Sequence, residues 1–350
     1  DIGTPYLVPV ATRAEIISLS NKDIKSLNIQ CLLANTYHLH FKSPGDKAIK
    51  KLGGLHKFMD FNKPIFTDSG GFQALSLGIG KIKNMRKIGF FPGQNEININ
   101  KNNKSFVKIK NNGILFTSVY DGKKEFIGPK ESMQIQSNLG SNIIMAFDQC
   151  NFLGESKKQT EAIMSRSHKW EIESLKHHDK SQALYGIIHG GIYKDLRIQS
   201  SKFVLGLPFE GIAIGGSMGK TKKEMYKILD WIIKIVKDDE RPIHLLGIGW
   251  IDDIFEAVER GIDTFDCVEM TRIARHGELY ISPQQGGNIK NKFRISIRKS
   301  IFSKDNKKID RKCDCYTCKN YKRKNLHLMY RKKPDDERID FFFITDVWEG

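Results

Sequence analysis

The chain has 350 residues, 39% of them hydrophobic, which is enough for one large domain and a small appendage. It has neither an apolar run of about 18 residues nor a secretory leader before Thr4, which argues against a membrane protein and predicts a cytoplasmic one. The net charge of +17 is concentrated in two segments. Residues 290–333 contain seventeen Lys and Arg against three Asp, and residues 81–110 contain eight Lys and Arg against one Glu. This pattern favours an enzyme with a polyanionic substrate over a merely solvated Lys-rich surface.

Short apolar runs alternate with longer amphipathic stretches along the chain. The runs are residues 29–34, 64–67, 143–147, 184–188, 212–214, 243–246 and 264–265. The intervening segments are typical of helices, for example residues 157–176 and 222–236. Buried strands that alternate with helices predict a parallel sheet. With an eighth strand expected at residues 279–281, the pattern favours a (β/α)8 TIM-type barrel, and an open doubly wound sheet is the alternative.

Two segments interrupt this alternation. Residues 77–113 are basic and rich in Asn, and they predict an insertion within a barrel that occupies residues 1–281. Residues 282–333 are basic and contain a group of cysteines, so they predict a small subdomain appended to the barrel. Residues 334–350 follow as a tail.

Three aspartates, Asp68, Asp148 and Asp266, directly follow or end apolar strands. In a barrel, the carboxyl ends of the strands form the active site. A carboxylate there can act as general acid, base or nucleophile, and two near one sugar carbon suit glycosidic chemistry. A magnesium site is the competing use of clustered Asp, and a single strand-end Asp is more often a cap. Three together favour catalysis.

Glycine pairs also follow the strands, at Gly70-Gly71, Gly190-Gly191 and Gly215-Gly216. Without side chains, the backbone can approach a planar ligand closely. Tight turns and phosphate cradles are the alternatives. None of the pairs matches a phosphate-binding fingerprint, which argues against a nucleotide-cofactor enzyme.

The cysteines of the basic subdomain are Cys313, Cys315 and Cys318. Three thiolates within six residues can bind one Zn²⁺, which takes four ligands in a tetrahedron, and such crowding in a cytosolic chain indicates metal rather than disulfides. We therefore predict a structural zinc ion in this subdomain. His327 is a weak candidate for the fourth ligand.

Several motifs, taken in order, resemble the bacterial type of the tRNA-guanine transglycosylase (queuine tRNA-ribosyltransferase) family from Thr4 to about Met329. They are Ala34-Asn35-Thr36-Tyr37-His38-Leu39, Thr67-Asp68-Ser69-Gly70-Gly71-Phe72-Gln73, Met145-Ala146-Phe147-Asp148, Gly190-Gly191, Asp195-Leu196-Arg197, Ala213-Ile214-Gly215-Gly216, Gly261-Ile262-Asp263-Thr264-Phe265-Asp266-Cys267-Val268, Thr271-Arg272 and the cysteine group. Each is weak alone, but the ordered series is specific.

The resemblance implies a barrel with a zinc subdomain that modifies tRNA in queuosine biosynthesis. The wobble guanine of a U-G-U anticodon loop would be exchanged for a 7-deazaguanine, either 7-aminomethyl-7-deazaguanine or queuine. The exchange would be a double displacement through a covalent aspartyl-ribosyl intermediate. A homodimer is also implied.

By position in the motifs, Asp266 matches the family's nucleophile and Asp68 its general acid/base. Asp148 matches the residue that binds the purine edge, and Phe72 the aromatic that stacks on the base. The residues expected to bind the base are Ser69, Gly70, Gly71, Phe72, Asp148, His189 and Gly216. The residues expected to bind RNA are Gly247, Ile248, Gly249, Trp250, Ile251, Asp252, Asp253, Thr271, Arg272, Ile273, Ala274 and Arg275.

The chain departs from the family pattern at three places. His189 stands where the family usually has Gln, the loop at residues 217–220 is shorter than usual, and residues 335–350 contain no His for the metal. Two alternatives stay open. One is a non-catalytic tRNA-binding paralogue or partner subunit, although Asp266 and Asp68 are both present. The other is an archaeal-type enzyme acting in the D-loop, which normally carries additional carboxyl-terminal domains.

Overall fold

The computed structural model describes residues 1–17, 19–78 and 107–332. Most of the predicted insertion at residues 77–113, and the tail at residues 334–350, lie outside the described residues. In chain order the strands are β1 (Tyr6–Ala11), β2 (Leu32–Ala34), β3 (Ile65–Thr67), β4 (Val107–Lys110), β5 (Gly113–Thr117), β6 (Lys124–Ile127), β7 (Ile143–Met145), β8 (Ala183–Ile188), β9 (Gly211–Ile214), β10 (Ile243–Leu245), β11 (Thr264–Cys267), β12 (Glu278–Tyr280) and β13 (Arg294–Ser296).

The helices surround and extend this framework. They are α1 (Asn21–Ser26), α2 (Thr36–Phe41), α3 (Asp46–Lys51), α4 (Gly54–Met59), α5 (Gly71–Gly78), α6 (Pro129–Leu139), α7 (Lys157–His177), α8 (Lys194–Leu205), α9 (Lys222–Val236), α10 (Ile251–Val258), α11 (Glu269–Arg275), α12 (Tyr316–Asn320) and α13 (Arg323–Lys332). None of those helices combines the length and the apolar composition that crossing a membrane requires.

Eight parallel strands close into a barrel in the order β1-β2-β3-β7-β8-β9-β10-β11. This confirms the predicted (β/α)8 fold. The predicted eighth strand at residues 279–281 is wrong: β12 pairs antiparallel with β13 outside the barrel. The barrel is closed instead by β1, which pairs with β11 on one side and β2 on the other. Pro9 interrupts the apolar run of β1 and weakens its strand signal in the sequence.

The helices of the barrel begin at clear capping signals. Ser156 accepts a hydrogen bond from the backbone N–H of Gln159, whose side chain in turn caps Ser156, so α7 begins at the position that the sequence pattern predicts. Thr221 and Glu224 form the same reciprocal box ahead of α9. One face of α9 then packs on the sheet through residues spaced three or four apart. These residues are Met225, Ile228, Leu229, Ile232 and Val236.

The interior of the barrel is filled by side chains from nearly every strand, as expected for this fold. The buried members of this cluster include Val8, Leu33, Phe66, Met145, Ile187 and Ala213. His244 of β10 is fully buried in the same region, and its ring stacks on Phe66 with centroids 5.4 Å apart. The interior of the barrel is therefore packed with side chains below the carboxyl ends of the strands.

The segment after the barrel packs directly against it. Cys315, Cys318 and Leu326 belong to the same apolar cluster as Leu55 and Phe116 of the barrel region. The strand pair β12–β13 connects this segment to α11, which follows the last barrel strand. The cysteine segment is thus anchored to the barrel through a shared core, and the exact division at residue 281 stays a prediction.

Candidate active site

A cavity of about 130 Å³ opens at the carboxyl ends of the barrel strands. It is lined by Leu33, Asp68, Ser69, Gly70, Phe72, Gln73, Met145, Asp148, Cys150, Ile187, Gly215, Gly216, Leu246, Gly247 and Asp266. The three aspartates that the sequence singles out thus reach one cavity. Its walls combine six apolar side chains, four glycines and five polar side chains. A concave pocket with converging polar groups is usual for a site that binds a small molecule.

Asp266 lies in β11, and only one oxygen of its carboxylate, Oδ1, has hydrogen-bond partners among the described residues. The backbone N–H of Gly247 donates to Oδ1 at 2.9 Å, and Nε2 of His244 lies 3.2 Å from the same oxygen. Within the described part of the chain, Oδ2 receives no hydrogen bond. The Asp266 side chain is 16% exposed. Its second oxygen is therefore the one available to a bound molecule.

His244 was not singled out by the sequence analysis. Its Nδ1 lies 2.9 Å from the hydroxyl of Thr264, and its other ring nitrogen faces Asp266. Because a carboxylate only accepts hydrogen bonds, Nε2 must carry the proton, and the Thr264 hydroxyl then donates to Nδ1. The signal was present in the sequence as a single polar residue inside the apolar run 243–246. Its meaning depended on the neighbouring strand, which the sequence alone does not specify.

Asp68 follows β3 and is surrounded by donors. Oδ2 accepts from the side chains of Asn35, at 2.5 Å, and Gln73, at 3.1 Å. The backbone N–H of Thr36 donates to Oδ1 at 2.8 Å. Asn35 also caps α2 by accepting from the N–H of His38. The end of β3 and the start of α2 are therefore joined at this carboxylate. No role for Asn35 or Gln73 was predicted from the sequence.

Asp148 follows β7 and is buried. The hydroxyl of Ser69 donates to its Oδ1 at 3.2 Å. Burial raises the pKa of Asp148 to about 7, the negative charge of Asp68 adds to this, and the hydrogen bond from Ser69 opposes it. The carboxyl group is therefore partly protonated near neutral pH, unlike an exposed aspartate.

His189 lies behind Asp148 and does not line the cavity. Its Nε2 is 3.6 Å from both Asp148 Oδ2 and Glu171 Oε1, and it is 1% exposed. Burial lowers the pKa of His189 well below its usual value, and burial raises the pKa of Glu171 well above. A neutral imidazole thus lies between two carboxyl groups that resist ionisation. Glu171, on α7, was not singled out from the sequence.

Replacing Asp148 with Asn is expected to stabilise the fold, and more so at higher pH. Because burial raises the pKa from 3.8 to about 7, the folded protein keeps a proton that the unfolded chain releases. The wild type therefore loses stability as pH rises from about 4 to about 7, with an upper limit of about 4 kcal/mol. Thermal unfolding of both proteins at about pH 5 and about pH 8 measures this effect. An equal difference between the proteins at the two pH values would contradict it.

Two glycines are required by the packing at the cavity. A Cβ on Gly71 would lie 2.6 Å from the carbonyl oxygen of Asp148, and one on Gly216 would lie 2.1 Å from Oδ1 of Asn151. Gly216 also has a φ of +73°, which favours glycine. Gly216 lines the cavity, whereas Gly71 serves to bring the ends of β3 and β7 close together.

A second, larger cavity of about 620 Å³ adjoins the first and shares Asp68, Gly247 and Asp266 with it. Of the side chains predicted to bind RNA, Trp250 and Arg272 line this second cavity. Two other residues predicted to bind RNA, Ile248 and Ala274, are instead buried in apolar clusters. Asp253 is fully buried, 2.8 Å from Nζ of Lys222, and accepts a hydrogen bond from the hydroxyl of Tyr226.

The thiols of Cys313, Cys315 and Cys318 lie within 4.8 Å of one another and could hold a metal ion. The backbone N–H of Cys318 points to the sulfur of Cys315, at 3.3 Å. Hydrogen bonds, chiefly from the Cys318 side chain, lower the pKa of the Cys315 thiol to about 6, although burial opposes them. His327 is not part of this group; its Nδ1 donates to the carbonyl oxygen of Ile297 at 2.7 Å.

Comparison with known proteins supports a single family. The family model described as queuine tRNA-ribosyltransferase matches residues 1–334. A protein of Archaeoglobus fulgidus is 47% identical over 340 residues, covering 94% of this chain and 82% of that protein. The queuine tRNA-ribosyltransferase of Halothermothrix orenii is 39% identical, and the match covers 100% of this chain and 86% of that protein. The queuine tRNA-ribosyltransferase of Clostridium perfringens is 40% identical, and the match covers 95% of this chain and 81% of that protein. The resemblance predicted from the ordered motifs is thereby confirmed, and the chain belongs to the queuine tRNA-ribosyltransferase family of transferase enzymes.

Proposed function

We propose that this chain exchanges the wobble guanine of a tRNA anticodon loop, within a U-G-U sequence, for a 7-deazaguanine base. The observation that carries this proposal is the convergence of Asp68, Asp148 and Asp266 on one cavity at the carboxyl ends of the barrel strands. Family membership supplies the reaction class, and the three carboxylates supply the groups that a base exchange at a ribose carbon needs.

In the first displacement, Oδ2 of Asp266 attacks C1′ of the target ribose. The C1′–N9 bond breaks, its electron pair stays on the guanine, and Asp68 in its acid form donates a proton to the departing base. Gly247 and His244 hold Oδ1, which orients the other oxygen toward the sugar. The product is an ester between Asp266 and the ribose, and His244 acts as a positioning residue through Asp266.

In the second displacement, Asp68 accepts the N9 proton of the incoming 7-deazaguanine. The nitrogen attacks C1′ from the face that guanine left, and the ester bond breaks to restore the carboxylate of Asp266. Two inversions at one carbon give net retention. The apolar walls formed by Leu33, Met145 and Leu246 would limit the access of water, which would otherwise hydrolyse the ester.

The base itself is assigned to the side of the cavity formed by Asp148, Phe72 and Gly216. An ionised Asp148 can accept hydrogen bonds from the N–H groups on the pyrimidine edge of guanine. The ring of Phe72 can stack on an extruded base, which is how enzymes reach a base that is otherwise stacked in nucleic acid. His189, buried behind Asp148, would influence the base through that carboxylate rather than by direct contact.

Incorporation of radiolabelled guanine into an anticodon-loop RNA tests the proposal directly. We expect label to enter an RNA with a U-G-U core and not one whose central G is replaced by A. Unlabelled 7-aminomethyl-7-deazaguanine and queuine added as competitors identify the preferred incoming base. Tight RNA binding without incorporation would contradict the proposal, and it would indicate a non-catalytic partner subunit.

We further propose that the cysteine group holds one structural zinc ion. A Zn–S bond of about 2.3 Å places tetrahedral sulfur ligands about 3.8 Å apart, which agrees with three thiols gathered within 4.8 Å. The group lies outside the cavity that holds the aspartates, so its role would be to stabilise the basic segment.

Replacing Cys315 with Ser is therefore expected to remove the metal. Metal analysis of purified protein should give about one zinc per chain in the wild type and much less in the variant, since one of only three thiolates is lost. The apparent Kd for tRNA should rise more than the rate on bound RNA falls. Cys31→Ser is the matched control because Cys31 is buried inside the barrel. Zinc that survives in the Cys315 variant, or is absent from freshly made wild type, would overturn the assignment.

A further inference from the structure

Two cations from the basic segment converge on Trp250. Nζ of Lys292 lies 4.4 Å from the centroid of the Trp250 ring, and the guanidinium carbon of Arg294 lies 4.6 Å from it. Lys292 and Phe293 have φ values of +56° and +55°, and this left-handed turn directly precedes β13. Attraction between a cation and an aromatic ring holds both side chains in place. None of these contacts was predicted from the sequence.

The positive charge of this pair is incompletely neutralised. The Arg294 side chain is 10% exposed, yet its nearest carboxylates, Glu278 and Glu269, lie 3.7 Å and 3.9 Å away, too far for hydrogen bonds. Its Nε is buried without a hydrogen-bond partner among the described residues. Glu269 is already paired with Arg272. A buried guanidinium with an unfilled donor is costly unless a ligand supplies the acceptor.

Lys292 adds to the same positive field. Its pKa is lowered by burial first, and then by the positive charges of Arg294 and Lys222, while the carboxylates of Asp252 and Glu278 oppose this shift. Two cations placed this close together attract an anion, and the flat fork of an arginine suits the paired oxygens of a phosphate. Phosphate is therefore the ligand chemistry that this cluster favours.

The position of the cluster identifies the phosphate. Trp250, Lys292 and Arg294 line the larger cavity, whose walls also include Asp68 and Asp266. We propose that Lys292 and Arg294, held by Trp250, bind a phosphodiester of the RNA beside the ribose that Asp266 attacks. This inference rests on the proposed function. The clamp would add to the affinity for the RNA strand that carries this ribose.

Steady-state exchange by Lys292→Ala and Arg294→Gln tests the clamp. We expect the KM for tRNA to rise about five- to tenfold in each variant, while kcat and the KM for guanine stay close to wild type, because a lost phosphate contact weakens RNA binding alone. The slope of log affinity against log salt, from fluorescence anisotropy with labelled anticodon-loop RNA, should flatten by about 0.7 per lost contact. Lys299→Ala is the control, since Lys299 is exposed on the same segment and does not line the cavity.

If Arg294→Gln disturbs β13, Lys292→Ala decides the question alone. Lys292 is an exposed residue outside β13, and it makes no ion pair among the described residues. An unchanged KM for tRNA and an unchanged salt slope in a Lys292→Ala protein of normal melting temperature would overturn the inference. Wild type that binds RNA but never incorporates guanine would instead refute the proposed function, while the anisotropy slope would still test the clamp.

Discussion

Replacing Asp266 with Asn is expected to abolish base exchange, with a loss of about 10⁴-fold or more, as for other enzymes that lose their nucleophile. The amide has nearly the same shape, and its oxygen can still accept from the N–H of Gly247 and from Nε2 of His244. What the variant lacks is a second carboxylate oxygen able to form an ester with C1′. A defect of this size would therefore report on chemistry rather than on folding.

Two measurements separate those possibilities. Wild type incubated with anticodon-loop RNA should give a denaturation-resistant adduct on a gel, and the Asp266 variant should give none. Its Kd for tRNA should stay within about threefold of wild type, since few phosphate contacts change. Asp238→Asn serves as the control because Asp238 is exposed and lines neither cavity. A variant that still exchanges labelled guanine would remove Asp266 from the role of nucleophile.

The barrel was predictable because most of its strands and helices can be recognised from short stretches of sequence. Seven strands appear in the sequence as short, mainly apolar runs. The helices α7 and α9 begin at capping residues that can be recognised without a structure. The eighth strand was misplaced because the run at residues 279–281 is as apolar as a barrel strand, whereas β1 contains a proline. Only the pairing partner distinguishes them, and pairing is a long-range property.

The residues of the candidate site likewise fall into those that the sequence predicted and those that it did not. Asp68, Asp148 and Asp266 were found because each follows or ends an apolar run, and every such position of a parallel barrel faces the same end. His244, Glu171 and Lys292 were missed because their importance lies in what they approach across the fold. His244 reaches Asp266 from the adjacent strand, and Lys292 reaches Trp250 from a segment outside the barrel. Such contacts cannot be predicted from the spacing of residues in the sequence.

Asp68→Ala is expected to slow turnover by about 10²- to 10⁴-fold, the usual contribution of a positioned acid or base. Without this carboxyl group, the departing guanine gains no proton from the enzyme and the incoming base has no acceptor for its N9 proton. Some covalent adduct should still form, because Asp266 remains intact. Rapid-quench measurement of adduct formation, beside steady-state exchange of labelled guanine, gives both rates.

The same substitution also removes a structural anchor, since Asn35, Thr36 and Gln73 all donate to Asp68. Asn35→Ala is the matched control because it removes one of these donors and leaves the carboxylate in place. If Asp68 acts as the acid and base, the Asn35 variant should lose far less activity than the Asp68 variant at similar thermal stability. If the two variants lose similar activity, or if Asp68→Ala turns over within about threefold of wild type, proton transfer lies elsewhere and Asp68 serves to join β3 to α2.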